Sequence, residues 1–186
     1  MDKLSQEKLQ RIDECRKSGD YATIWDIYDI NDIDFWEVFN EIPDNEWKYN
    51  LVVDRYTHKG LHNRDKYLNA IKPFIPAEET EHINELADQE GNITIYHGGT
   101  KTENPALRVS WTIDIDIAEY FAKRCLSTRD SVIYKGYIKP KDVIAYVQYG
   151  NGWNEKEVVQ LNNVTNIEVF RECKQSEYDS SIHDDK

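Results

Sequence analysis

Hydrophobic periodicity changes once along this chain, at Asn92, and that change restricts the fold more than any other feature. Before it, apolar residues recur at helical spacing; after it, they recur at every second position, as in half-buried strands. Residues 3–17 carry Leu4, Leu9, Ile12 and Cys15 on one helical stripe, and Ser18-Gly19-Asp20 ends that helix. Residues 21–30 continue with Ile24, Trp25, Ile27 and Tyr28. Asp32 or Asp34 can cap a third helix bearing Phe35, Trp36, Val38 and Phe39. After the break at Pro43, Asp44 can cap a helix through Trp47, Leu51, Val52 and Tyr56 that stops at Gly60. Tyr67, Leu68, Ile71 and Phe74 mark a short helix closed by Pro73 and Pro76, and residues 77–88 read as the last one.

Beyond Asn92, residues 93–97, 131–138, 143–149, 158–161 and 166–171 read as strands, separated by Gly, Pro and Asn. One helix intervenes over about 116–126. Its Ala118, Phe121, Ala122 and Cys125 share a face, and Asp116 and Glu119 have capping-box spacing. The pattern predicts an α+β protein. Residues 1–91 form a helical N-terminal region, residues 92–172 the β-containing core, and residues 173–186 an acidic, mobile tail without apolar pattern. At 186 residues, one domain with an extension is the expected size class.

Charge narrows the partners. The formal net charge of −12 opposes general, non-specific binding to nucleic acid. Two segments run against the average. Residues 55–72 carry Arg55, Lys59, Arg64, Lys66 and Lys72 against Asp65. Residues 123–141 carry Lys123, Arg124, Arg129, Lys135, Lys139 and Lys141 against Asp130. They read either as a solvated charged surface or as a patch for a polyanion, whether nucleic acid or the diphosphate of a cofactor. Three widely spaced cysteines, a polar opening segment and no long apolar run predict a cytoplasmic protein with reduced thiols and no membrane partner. His58 and His62 stand four apart but lack a third ligand, so no metal site is expected.

Three short segments carry chemistry. Glu155 and Glu157 are two apart at the start of a predicted strand, where both carboxylates would face the same way, about 7 Å apart. Paired carboxylates suit reactions at a sugar carbon: one stabilises the oxocarbenium ion formed when a glycosidic bond breaks, and the other orients or deprotonates the attacking group. Tyr96-His97-Gly98-Gly99 ends a strand with an imidazole at the mouth of a cleft, followed by backbone that can approach a ligand closely. Ser110-Trp111-Thr112 places two hydroxyls just before a helix start. They can cap that helix or line a pocket in which Trp111 or Tyr96 faces a flat cationic ring. No GxGxxG, Walker loop, HExxH, GxSxG or EF-hand sequence is present.

In this order, the three segments resemble the signature of the ADP-ribosyltransferase superfamily over about residues 92–171. Asn-Glu-Lys-Glu-Val-Val-Gln-Leu resembles the Glu-x-Glu segment of its toxin-like class, and Ser110-Trp111-Thr112 resembles its Ser-x-Thr. The helix with Asp-x-Ala-x-x-Phe-Ala is similar to the one that follows there. His97-Gly98 instead resembles the poly(ADP-ribose) polymerase-like and diphtheria-like class, so the pattern is a mixed His–Ser–Glu one. The resemblance implies a split β-core of two small sheets with flanking helices, and NAD as a substrate without a metal. It implies Glu157 as the catalytic residue, with Glu155 positioning the acceptor. His97, Gly98, Ser110, Thr112, Tyr96 and Trp111 are implied on the NAD-binding side. The acceptor would be a protein or a nucleic acid, in the setting of a bacterial or phage toxin, an anti-phage defence effector or a takeover enzyme. Water as acceptor would make an NAD glycohydrolase, and a non-catalytic binding or inhibitor protein is the alternative of another class. The helical region carries no catalytic signature and is read as a cap, a target-recognition module or a surface for a protein partner.

Overall fold

The computed structural model describes residues 4–59, 61–101, 104–125, 130–149 and 154–173. Five helices open it: α1 (Gln6–Ser18), α2 (Tyr21–Ile30), α3 (Trp36–Glu41), α4 (Asn45–Lys59) and α5 (Arg64–Ile71). Their boundaries follow the local chemistry. Gly19 closes α1 in the left-handed conformation, at φ 76°. Asp20 starts α2 by accepting the Thr23 N–H at 3.1 Å. Asp34, rather than Asp32, accepts from Trp36 N–H at the start of α3. Asp44 does the same for Trp47 in α4 at 2.8 Å. A single 3₁₀ turn, Lys72–Phe74, leads to α6 (Ala77–Glu85), which stops three residues before the expected Asp88.

The remaining chain alternates as expected: β1 (Ile93–Thr100), β2 (Ser110–Thr112), α7 (Ile115–Cys125), β3 (Ser131–Ile138), β4 (Val143–Val147), β5 (Glu157–Gln160) and β6 (Thr165–Cys173). The cap of α7 is Asp114, whose carboxylate accepts from Asp116 N–H at 2.9 Å, two residues earlier than the sequence suggests. The expected end of that helix at Leu126, the residue Trp153 and the tail beyond Cys173 lie outside the described residues.

In place of two small sheets, the strands form one antiparallel sheet of order β4-β5-β2-β1-β3-β6. Its two triplets are nevertheless barely joined. β1 and β3 pair along eight consecutive positions, whereas β1 and β2 share only Tyr96↔Thr112. Past that pair the two strands diverge.

Partners in an antiparallel register point to the same face. On one face lie Trp111, Val158, Ile93, Ile95 and Tyr134, a core closed by Ile83 of α6. On the opposite face, the β4–β5 end meets helices α1–α5. Val159, Ala145 and Ile144 share a core with Ile24, Phe35, Phe39, Val52 and Leu68, and Tyr49 Oη donates to the Ile144 carbonyl at 3.1 Å. The β1–β3 end of that face meets Ala118 and Ala122 of α7. The helical region is thus built into the same core as the sheet. Buried Arg55 ties it together internally, pairing with Asp26 and Asp29 and lying 5.6 Å from the Trp25 ring centroid.

Gly98 permits the approach of α7 to the sheet. A Cβ there would stand 1.8 Å from the Ala118 carbonyl oxygen and 2.7 Å from the Ala122 nitrogen, both backbone atoms that no rotamer change can clear. The glycine after His97 therefore serves helix–strand packing, where the sequence suggested close approach of a ligand. Gly98→Ala is expected to lower stability by about 3 kcal/mol, read as a reduced urea midpoint with unchanged slope. A variant as stable as the parent would show that α7 is free to shift.

Candidate active site

Between α4 and α7, over the divergence of β1 and β2, lies a cavity of about 440 Å³. That is within the usual range for small-molecule sites, roughly 300–1,000 Å³. Tyr96, Gly98, Ser110, Thr112 and Glu157 come from the sheet face that forms its base, and Ile117, Ala118 and Phe121 from α7. Tyr56, Thr57, Leu61 and Arg64 come from the helical region. Glu155, His97 and Trp111 complete the lining. All eight residues singled out in the sequence, Glu157, Glu155, His97, Gly98, Ser110, Thr112, Tyr96 and Trp111, therefore border one cavity. Several do so for reasons other than those expected.

Glu157 is the first residue of β5, opposite Thr112 of β2 and Val147 of β4. It is 8% exposed, where the sequence suggested an exposed strand start, because α4 lies over it. Tyr56 Oη donates to Glu157 Oε1 at 2.9 Å across 101 residues of sequence. The Ser110 hydroxyl, on the neighbouring strand and the same face, lies beside this carboxylate and favours its ionised form. Burial raises the Glu157 pKa above the ordinary carboxyl value. The Ser110 and Tyr56 hydroxyls oppose that, and the nearby Glu155 charge adds to it. Burial, followed by the Glu157 charge, pushes the Tyr56 phenol far up, so Tyr56 acts as a neutral donor.

Glu155 and Glu157 do not belong to one extended strand. Lys156 between them has φ 46°, an uncommon left-handed conformation for a residue with a side chain. Three hydrogen bonds hold it there, and a fourth anchors Glu155 before it. Lys156 N–H donates to Gln148 at 3.2 Å, Ile113 N–H to the Lys156 carbonyl at 3.2 Å, and Lys156 Nζ to Asp114 at 2.7 Å. The Thr112 hydroxyl donates to the Glu155 carbonyl at 2.9 Å while accepting from Asp114 N–H at 3.1 Å. Thr112 thus anchors the turn that carries Glu155 and takes part in starting α7. Both carboxylates reach the cavity by a kinked turn instead of by strand alternation.

His97 continues the alternation of Ile93 and Ile95, and its ring lies 5.5 Å from that of Trp111. Its Nδ1 donates to the Ser110 carbonyl at 3.1 Å. A carbonyl only accepts, so Nδ1 carries the proton in this contact. The imidazole bridges β1 and β2 where the backbone ladder has ended. The Trp111 indole is buried and donates to the Arg108 carbonyl at 3.1 Å, which makes it part of the core beneath the site. Tyr96 stands edge-on to Phe170 at 5.7 Å and packs with α7.

The first basic segment is largely paired within the chain, the second less so. In the first, Arg55 is buried against Asp26 and Asp29, Lys66 pairs with Asp34 at 2.9 Å and lies 4.2 Å from the Trp36 ring centroid, and Lys72 meets Asp142 at 4.0 Å. Arg64 is the member that lines the cavity. In the second, Lys123 pairs with Glu119 at 2.9 Å and Lys139 donates to the Glu90 carbonyl at 3.3 Å. Among the described residues, no group of three or more His, Cys, Asp or Glu is placed to hold a metal ion, and no helix is long and apolar enough to cross a membrane.

Sequence reasoning missed Tyr56. It falls on the apolar stripe of α4 with Tyr49 and Val52, and no local signal separates a core tyrosine from one whose hydroxyl meets a carboxylate.

A raised folded-state pKa means that Glu157 costs stability once it ionises. The cost is absent below the unfolded value, ordinarily 4.5, and complete above the folded one. Glu157→Gln is therefore expected to be at least as resistant to urea as the parent at pH 7. Its advantage should shrink on acidification and be absent below about pH 4. A variant clearly weaker at pH 7 would mean that the two hydroxyls outweigh desolvation.

The chain matches no family model, no curated protein and no solved structure.

Proposed function

We infer that this protein is an NAD-dependent mono-ADP-ribosyltransferase, with the cavity between α4 and α7 as its NAD site. The observation that carries the reading is the buried Glu157 carboxylate. It accepts from Tyr56 and lies beside Ser110, with Glu155 on the same cavity wall, and the resemblance of the three sequence segments falls on Glu157, Glu155 and Ser110. A carboxylate fixed in a desolvated pocket stabilises developing positive charge far better than one in water.

In this reading the nicotinamide ribose lies against Glu157. The bond from the ribose anomeric carbon to nicotinamide breaks, and nicotinamide leaves neutral with the bonding electron pair. Glu157, ionised, offsets the charge on the oxocarbenium ion. The acceptor attacks the anomeric carbon and gives up its proton to Glu155 or to solvent. His97 and Thr112 hold the surrounding backbone, Gly98 and Tyr96 shape the wall shared with α7, and Trp111 supports the base. Arg64 is the cation available to the diphosphate. Because most of the first basic segment is paired internally, a protein acceptor is favoured over nucleic acid.

The test is purified protein with NAD labelled in the adenylate half, with and without cell lysate, followed by nuclease or protease digestion. Nicotinamide release with label on protein is the expected result. Label removed by nuclease would move the acceptor to nucleic acid, and release without label transfer would make the enzyme a glycohydrolase. Glu157→Gln should lower nicotinamide release by about 10²–10³-fold without loss of fold. Near-parental turnover in that variant, or no release by the parent, would overturn the reading.

A further inference from the structure

The helical region supplies a hydrogen-bond donor to the carboxylate on which the proposed chemistry depends. Tyr56 sits one turn before the end of α4, its hydroxyl 2.9 Å from Glu157 Oε1. α4 is fixed from both sides. Tyr49, two turns earlier on the same stripe, donates to the Ile144 carbonyl of β4, and Val52 is fully buried in the core shared with the sheet. The phenol is thus held by a helix that cannot withdraw without opening that core. A neutral donor on a half-buried side chain, aimed at a buried acceptor, is preorganised: it needs no reorientation when charge develops nearby.

We propose that Tyr56 is a positioning residue of this site, setting the orientation and charge state of Glu157 from a helix outside the segments that carry the family resemblance. The proposal rests on the transferase reading for its catalytic meaning, but its physical content, a donor acting on Glu157, stands without it. The charged and titratable groups facing Glu157 are few. Tyr56 comes from α4, Arg64 from α5 and Glu155 from the preceding turn, while α7 presents Ile117, Ala118 and Phe121; the His97 ring lies on the other sheet face, beside Trp111. Ser110 supplies the other hydroxyl. Of these, Tyr56 donates to the carboxylate directly and Ser110 lies beside it, and both favour its ionised form. Losing Tyr56 Oη removes one of two hydroxyls from a group that burial already drives toward protonation.

The test uses the full chain and Tyr56→Phe, which keeps the ring and removes only the hydroxyl. The Glu157 side-chain carboxyl is followed by carbon-13 NMR with labelled glutamate, its resonance assigned by its absence in Glu157→Gln. Its titration midpoint is expected to move to higher pH in Tyr56→Phe. In the NAD assay, kcat at neutral pH should fall by about tenfold or more with KM little changed, and the acid limb of the rate profile should move up with the NMR midpoint. Adding Tyr56→Phe to Glu157→Gln should have no further effect on the residual rate. An unmoved midpoint in a folded Tyr56→Phe protein would overturn the proposal, as would a loss of rate that persists undiminished in the Glu157→Gln background. A midpoint that moves in a protein whose parent releases no nicotinamide would uphold the action of Tyr56 on Glu157 and reject the transferase reading instead.

Discussion

Strands β1 and β2 meet at one residue pair, Tyr96↔Thr112, and the site exists because they part there. A fully laddered sheet would present a closed surface beneath α4 and α7. Here the ladder does not continue to Gly98 and Ser110, and the His97 side chain links the two strands by donating to the Ser110 carbonyl. A side-chain hydrogen bond in place of a ladder bond satisfies one acceptor while leaving room for a ligand-sized space. The strand pairing on either side is more extensive, so the break in the ladder is local.

The second constraint is that a carboxylate sits at the bottom of this opening. Desolvation opposes its ionisation, and two hydroxyls restore part of what water would have provided. One, that of Ser110, belongs to the adjacent strand. The other, Tyr56, belongs to a helix contributed by the first ninety residues. That region is accordingly a wall of the cavity and a continuation of the main core, with Val159 and Ala145 packed among its aromatic residues. Its role in the proposed reaction is local and chemical, which the view of it as a separate recognition module does not capture.

The charge distribution follows the same economy of positions. An acidic chain keeps its cations where they have structural partners: Arg55 inside the helical region, Lys156 on Asp114, Lys66 on Asp34. The Lys156–Asp114 pair holds the left-handed turn that turns Glu155 toward the cavity, and it keeps the Asp114 carboxyl below its ordinary range through that hydrogen bond. A segment that reads as a basic patch in sequence is in three dimensions mostly a set of internal ties, and Arg64, paired with Asp65 at 3.4 Å, also lines the cavity.

Periodicity alone determined the helical first half, the β-rich second half and most element boundaries, because caps and breakers such as Asp20, Asp44 and Gly19 act within one turn of the residues they control. The resemblance of three short sequence segments, rather than periodicity, brought Glu155, Glu157, Ser110 and His97 together as one candidate site. Tertiary structure alone decided what these groups do. Glu157 is buried because a helix a hundred residues away covers it, and Gly98 is required because α7 presses on β1. Lys156 takes a left-handed turn because three partners, Gln148, Ile113 and Asp114, hold it. Local sequence encodes preferences for backbone conformation. Burial, desolvation and hydrogen bonding between distant residues arise only when the chain packs, and the character of this site depends on those three.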